Sequence, residues 1–409
     1  MDYSTRQVNI PASHLHVDRL LAAKGLRAFG DGFVSLLLPL YLLELGFTPF
    51  EVGVIATTTL LGSGVLTLAV GLHAYRFHYR SLLLAATALM AGTGLGFAAF
   101  TTFWPLVLIA LLGTLNPSSG DVSVFLPLEH AVMSRVVTDR ERTAVFARYS
   151  LIGTLVAAFG SLAAALPSWL GTHGIAPLAA MQGMFVLYAL LAGASALVYR
   201  GLPKAMVSET HKPTAPLGAS KKTVYTLAAL FSLDAFGGGF VVQSMVALWL
   251  YQRFGLSLST AGVIFFWTGL LTALSYLAAV RIAGRFGLVN TMVFTHIPAN
   301  LCLVAIPFVP DLAWAIVLLF VRSALSQMDV PTRSSFVMAV VSPAERPAAA
   351  SLTAVPRSLA SAISPLMAGY LLGISTFGWP LIAAGGLKIF YDLLLYAKFR
   401  NVRPPEERG

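Results

Sequence analysis

Residues Ala28-Phe29-Gly30-Asp31-Gly32-Phe33-Val34 return as Ala235-Phe236-Gly237-Gly238-Gly239-Phe240-Val241, 207 positions later. The echo continues: Gly46, Gly53, Val54, Ile55, Arg76 and Phe77 recur as Gly255, Gly262, Val263, Ile264, Arg285 and Phe286 at a separation of 209. A two-residue insertion accounts for the change of register. Self-similarity over half a chain means two structurally equivalent halves, and such halves enclose what lies between them. The positions where the copies differ then carry the most information.

Apolar runs long enough to cross a bilayer, about 17 to 25 residues, occur twelve times. The first half gives 20–45, 50–72, 81–101, 104–128, 144–166 and 177–198. The second gives 224–251, 259–280, 288–308, 312–337, 348–372 and 379–396. With 57% hydrophobic and 11% charged residues, against about a quarter charged in soluble domains, the expected class is an all-α polytopic membrane protein. Residues 200–222, with Lys204, Lys212, Lys221 and Lys222, are too charged to be embedded. The expected organisation is a six-span unit over 1–199, a linker over 200–222 and a second six-span unit over 223–409.

Lys and Arg accumulate in alternate loops: Arg76 and Arg80, then Arg135, Arg140 and Arg142, the central lysines, Arg281 and Arg285, Arg346, and Arg400, Arg403 and Arg408. The intervening loops hold only Arg253. Positive charge marks the cytoplasmic side, so both termini are expected there, in a bacterial inner (plasma) membrane. The net charge of +10 is spread between apolar spans rather than gathered in a patch, which argues against nucleic acid. Trp104, Trp169, Trp249, Trp314 and Trp379 fall near the opposite ends of their spans, where an interfacial belt is expected. Residues 1–19 show no signal-peptide pattern, so the first span is expected to direct its own insertion. Cys302 is the one cysteine and reads as a small buried hydrophobe.

Twelve spans in a duplicated six-plus-six, a basic central loop and cytoplasmic termini resemble the major facilitator superfamily. That family carries Gly-x-Leu-Ala-Asp-Arg-x-Gly-Arg-Arg after spans two and eight. Here the copies read Gly71-Leu72-His73-Ala74-Tyr75-Arg76-Phe77-His78-Tyr79-Arg80 and Val280-Arg281-Ile282-Ala283-Gly284-Arg285-Phe286-Gly287. Arg76 and Arg285 are kept, and Tyr75 and Gly284 replace the acid that latches the cytoplasmic helix ends in the family. The resemblance implies two pseudosymmetric six-helix bundles, a monomer, and alternating access to a site near mid-membrane.

A charge inside a span costs about 2.5 to 3.5 kcal/mol at the helix centre and so calls for a reason. Asp31 lies near the middle of span one, with Arg27 one turn below it, either as a structural i, i+4 pair or as a coupling element. The repeat puts Asp234 opposite Arg27 and Gly238 opposite Asp31. Glu129 in span four matches Arg333 in span ten in the same way, and Glu141-Arg142 matches Glu345-Arg346 at the same separation. Glu129 and Arg333 are either a cytoplasmic gate, with Arg76 and Arg285, or two separately solvated charges. Asp121, Asp329 and Arg148 are further intramembrane charges. A carboxylate that alternates between an apolar and a cationic environment loads and releases a proton, so Asp31, Arg27, Asp121, Arg148, Asp234 and Asp329 form the expected coupling set.

Substrate contacts are expected from Phe29, Phe33, Gln243, Trp267, Gln327 and Arg357, aromatic faces mixed with a few polar groups. Gly30, Gly32 and Gly237 to Gly239 serve either close helix packing or bending, and Pro127, Pro331 and Pro356 are possible hinges. Nucleotide-phosphate, metalloprotease and serine-hydrolase motifs are all missing, so no enzyme activity and no cofactor or metal is expected. The expected function is secondary active transport of a small molecule across the lipid bilayer, coupled to protons or sodium. Export of amphiphilic compounds is slightly favoured over import of an organic anion, the latter suggested by Arg27, Arg148, Arg333 and Arg357. An uncoupled lipid-moving or sensor protein on the same fold is the alternative class.

Overall fold

The computed structural model describes residues 13–73, 76–118, 123–137, 139–203, 217–218, 220–342 and 345–401. In hydrocarbon every backbone amide and carbonyl must be satisfied internally, and the apolar runs accordingly form helices. The first half holds α1 (Ser13–Glu44), α2 (Pro49–His73), α3 (Tyr79–Ala99), α4 (Phe103–Leu112), α5 (Phe125–Val136), α6 (Asp139–Ala163), α7 (Leu166–Thr172) and α8 (Pro177–Arg200). The second holds α9 (Lys221–Gly239), α10 (Gln243–Phe254), α11 (Leu258–Phe286), α12 (Leu288–Ala305), α13 (Leu312–Leu325), α14 (Asp329–Val340), α15 (Arg346–Ile374) and α16 (Trp379–Phe399).

Twelve crossing segments make up two pseudosymmetric six-span bundles, and three of the segments are not single helices. Span four is α4 and α5, span seven is α9 and α10, and span ten is α13 and α14. Runs that read as continuous in the sequence are thus interrupted. Pro127 and Pro331 stand in the first turn of α5 and of α14, where a missing N–H leaves no helical bond unmade. Pro356, by contrast, lies within α15 without ending it. Span seven breaks after Gly237-Gly238-Gly239, while α1 runs unbroken through the equivalent Gly30-Asp31-Gly32.

The glycines serve packing. A methyl group at Gly32 would strike the Ala157 carbonyl of α6, and one at Gly239 the Ser361 carbonyl of α15. Between the halves, a Cβ on Gly53 of α2 would stand 2.6 Å from the Pro365 carbonyl and 3.0 Å from Gly369 Cα of α15. Hydrogen bonds fasten the same region. Tyr251 Oη donates to the Leu36 carbonyl at 2.9 Å, the Leu366 amide donates to Thr57 Oγ1 at 2.9 Å, and the Ser244 amide donates to the Pro117 carbonyl at 3.1 Å. All of these lie away from the arginine-rich loops, so the halves are closed together at that end.

Trp104, Trp169, Trp314 and Trp379 are exposed at that end, as an interfacial belt requires. Trp249 departs from the expectation. It is buried, and its indole donates to the Thr376 carbonyl at 3.1 Å, because span seven turns α10 inward against α1 and α15.

Candidate functional site

Between the two bundles lies a cavity of about 560 Å³, within the size range of small-molecule sites. The first half contributes Lys24, Ala28 and Asp31 of α1 and Thr154, Ala157 and Ser161 of α6. The second contributes Asp234 and Gly238 of α9, Gln243 of α10, Thr268, Thr272 and Tyr276 of α11, and His296 of α12. Arg322, Ser323, Gln327, Asp329, Arg333, Arg357, Ser358, Ser361 and Lys388 complete that side. Phe265 and Tyr276 are the only Phe, Tyr or Trp side chains among its described lining residues.

Arg27 of α1 lies behind this cavity, in the first half. Its Nη2 is 2.6 Å from Glu129 Oε2, and its Nη1 donates to Glu129 Oε1 at 3.1 Å, a two-pronged pair buried at both ends. Arg27 also donates to the hydroxyl oxygen of Tyr199, whose own proton goes to Glu129 Oε1 at 2.7 Å. Tyr149 donates to Oε2. The guanidinium carbon sits 4.0 Å from the centre of the Phe125 ring, a cation–π contact. Every formal charge in the cluster is met, as burial demands.

The second half repeats the pair with its signs exchanged. Asp234, equivalent to Arg27, accepts from Arg333, equivalent to Glu129, with Nη2 2.8 Å from Oδ2. Arg333 also bonds Asp329 one turn earlier on α14. Lys388 Nζ of α16 donates to Asp234 Oδ1 at 2.7 Å. His296 Nε2 lies 3.9 Å from the same oxygen, while its Nδ1 is 3.0 Å from both oxygens of Asp392. This network opens onto the cavity, whereas the Arg27–Glu129 cluster is set behind it.

The structure therefore brings the marked charges together, but in other combinations than expected. Arg27 pairs with Glu129 rather than with Asp31. Asp31 lines the cavity, with the Tyr188 hydroxyl donating to it at 3.5 Å and the Asn116 side chain beside it. Glu129 and Arg333 are not paired with each other here; each is committed to an acid–base partner in its own half. Arg148 is exposed on α6 and takes no part in the buried networks. Its expected place near Asp31 is taken by Lys24, whose Nζ stands 5.0 Å from the Tyr149 ring centre. Asp121 lies outside the described residues.

Gln243, Gln327 and Arg357 line the cavity as expected, with Tyr276 donating to Gln327 at 3.1 Å. Phe29, Phe33 and Trp267 do not. Phe33 is fully buried and packs edge to face on Phe29 inside the first half, and Trp267 is 47% exposed on the outer surface of α11. Period alone does not say which face of an apolar helix looks inward. Arg76 and Arg285 are exposed at the arginine-rich end, with Arg285 over the Phe286 ring. The residues missed are Lys24, His296, Arg322, Lys388 and Asp392. Each is a titratable group inside an apolar run, the same signal that singled out Asp31.

Arg322 and Arg357 differ from the other cations of the cavity. Among the described residues neither has a carboxylate within ion-pair distance, and Arg322 Nε is buried with no hydrogen-bond acceptor. Arg357 is exposed toward the cavity, whereas Arg322 Nε is a buried donor that stays costly unless a ligand supplies its acceptor.

The family model described as Major Facilitator Superfamily matches residues 20–328 and 227–409. A curated relative, the "Uncharacterized membrane protein YJR124C" of Saccharomyces cerevisiae, is 26% identical over 419 residues, covering 94% of this chain and 94% of its own. Among solved structures, the nucleoside transporter NupG has the same fold at a TM-score of 0.72 and 17% identity, over 94% of this chain and 99% of its own. The human organic anion transporter MFSD10 (TETRAN) matches at 0.66 and 17%, over 94% of this chain and 100% of its own.

Proposed function

This chain belongs to the major facilitator superfamily, and on that premise we propose that it is a proton-coupled secondary transporter that takes up a small, hydrogen-bonding organic anion by alternating access. The observation that carries the substrate class is two cavity-lining cations, Arg322 and Arg357, neither of which has a carboxylate within ion-pair distance among the described residues. Thr268, Thr272, Ser323, Ser358 and Ser361 line the same cavity, and their hydroxyl oxygens suit the polar remainder of such a ligand. Export of amphiphilic compounds loses its support, because Phe29, Phe33 and Trp267 lie elsewhere. The human organic anion transporter MFSD10 (TETRAN) has the same fold, which agrees with this reading at the level of architecture.

In this reading the bundles over 1–199 and 223–409 rock about the cavity, joined through 200–222, as a monomer. Both termini face the cytoplasm, and the closed end described above faces outward, so the conformation is inward-facing. The relative in yeast gives a bacterial inner membrane no support, and the reading requires only a membrane across which a proton gradient stands. Asp31, Asp234 and Asp329 are the acids that meet the cavity.

The test is flux into proteoliposomes under an imposed inward proton gradient, with lactate, succinate, glycerol phosphate and benzoate as anions, and choline and uridine as cationic and neutral controls. Uptake of at least one anion, and of neither control, is expected. Arg322→Gln or Arg357→Gln should raise the KM for that anion by roughly tenfold or more, since a charge-assisted hydrogen bond contributes about 1.5 to 3 kcal/mol. Transport of choline or uridine, with no anion carried, would sink the proposal.

A further inference from the structure

His296 stands on α12 with its imidazole at the cavity wall. A carboxylate only accepts hydrogen bonds, so the position of Nδ1, 3.0 Å from both oxygens of Asp392, assigns its proton. Nδ1–H donates, and Nε2 is left as the basic nitrogen. Asp392 itself is fully buried, and His296 is its partner in the ion-pair network. The carboxylate therefore fixes the tautomer and the orientation of the ring, and Nε2 points toward Asp234 at 3.9 Å.

The charged groups around this imidazole come from four helices. α9 gives Asp234, and α14 gives Asp329 and Arg333. α15 gives Arg357, within electrostatic reach of Asp234, Asp329 and Arg333. α16 gives Lys388 and Asp392, with the Tyr391 ring centre 6.2 Å from the imidazole. Three carboxylates thus face three cations around the imidazole, and α13, packed on α12, adds Arg322 to the same cavity. Two of those cations are already committed, Arg333 to Asp234 and Asp329, and Lys388 to Asp234. Arg357, like Arg322, is held by no carboxylate among the described residues. An anion seated on Arg357 would add a negative charge beside Asp234 and Asp329. In a buried setting such an addition is costly, and the group placed to cancel it is Nε2 of His296.

We propose that His296, positioned by Asp392, is the proton carrier of this transporter, and that an anion at Arg357 and a proton at His296 Nε2 are loaded together. The inference rests on the anion reading above. Loading forms one N–H bond at Nε2 with a proton from water. Release of the anion removes the added charge, and the same proton returns to water on the other side. No electron moves. The exchange of signs between the repeats fits this division of labour. Arg27–Glu129 is set behind the cavity, whereas His296 lines it, so the coupling chemistry is assigned to the second half.

The test uses the full chain in proteoliposomes loaded with a pH-sensitive dye, and whichever of labelled lactate, succinate, glycerol phosphate and benzoate the wild type exchanges. Two quantities are read: protons moved per anion in net uptake, and exchange of labelled for unlabelled anion at equal pH. The wild type should move protons with the anion. In His296→Gln the ratio of protons to anions should fall at least tenfold, with labelled exchange still measurable, which shows that the protein is folded and its site open. In Asp392→Asn, which removes only the orienting charge, coupling should persist with its pH profile moved to the acid side by about one unit or more. Exchange in the wild type with no anion-dependent proton flux, or an unchanged proton-to-anion ratio in His296→Gln, overturns the inference and leaves the anion reading intact. Failure of all four anions to exchange in the wild type overturns the anion reading, and this inference with it.

Discussion

Arg27 and Glu129 are ionised groups taken out of water, and what holds them there is completeness. Each carboxylate oxygen of Glu129 accepts from Arg27 and from a tyrosine, and Phe125 covers the guanidinium. Removing one member of a buried pair leaves the other uncompensated, at about 3 to 5 kcal/mol. Arg27→Gln and Glu129→Gln are each expected to lower thermal stability in detergent by that order, and the double variant by clearly less than the sum. Combining Glu129→Gln with Arg333→Gln should instead be additive within about 0.5 kcal/mol, since the two sit in separate networks. Strong coupling in the second cycle would restore a gate between the halves. The repeat register made all four residues legible, because it identifies equivalent positions. It does not identify neighbours, and adjacency between spans one and four within one bundle has no signature in a linear offset.

At the level of the helix, the broken spans show what an apolar run conceals. Length and hydropathy locate a crossing, and nothing in them distinguishes one helix from two joined at depth. Pro127 and Pro331 were the available marker, and both prove to be first-turn residues of a restarting helix. The α2–α15 crossing is the second case. Gly53 and Gly369 meet there with no room for a side chain, and they fasten the closed end. Gly369→Val should destabilise that arrangement by about 1 to 3 kcal/mol, the usual range for overpacking, and shift the population toward opening there by roughly tenfold to a hundredfold. Spin labels at Phe50→Cys and Ile374→Cys, in a chain whose single cysteine is replaced by Cys302→Ser, would report it. A distance distribution identical to that of the unmodified crossing would show that Gly369 is not part of the closure.

Across the whole molecule, the central linker is tied to the second bundle by a carboxylate at the start of α15. Hydrogen bonds from the Ser220 side chain, the Gly218 amide and the Ser342 hydroxyl hold Glu345 below its ordinary value of 4.5. The sign follows from that direction. The tether is fully present above the ordinary carboxylate range and is lost as pH falls through the lowered value, so acidification, and not alkalinisation, should release it. Amide hydrogen exchange at Gly218 should be slow at neutral pH relative to Glu345→Gln, with the two converging in acid. A protection that does not respond to acid would assign the slow exchange to burial instead. The two-bundle plan was readable from the repeat, whereas the faces turned to the cavity were not: Gln243 and Gln327 line it, while Phe33 and Trp267 do not.

The buried charges of the first bundle also bear on how the protein is made. Lys24, Arg27 and Glu129 are buried and Asp31 is half-buried, two bases and two acids, all from the first four spans. A ribosome that has delivered those spans has already supplied both members of the Arg27–Glu129 pair, and Tyr149 and Tyr199 follow before the linker is translated. The leading half can therefore close the Arg27–Glu129 pair while its counterpart is still being synthesised.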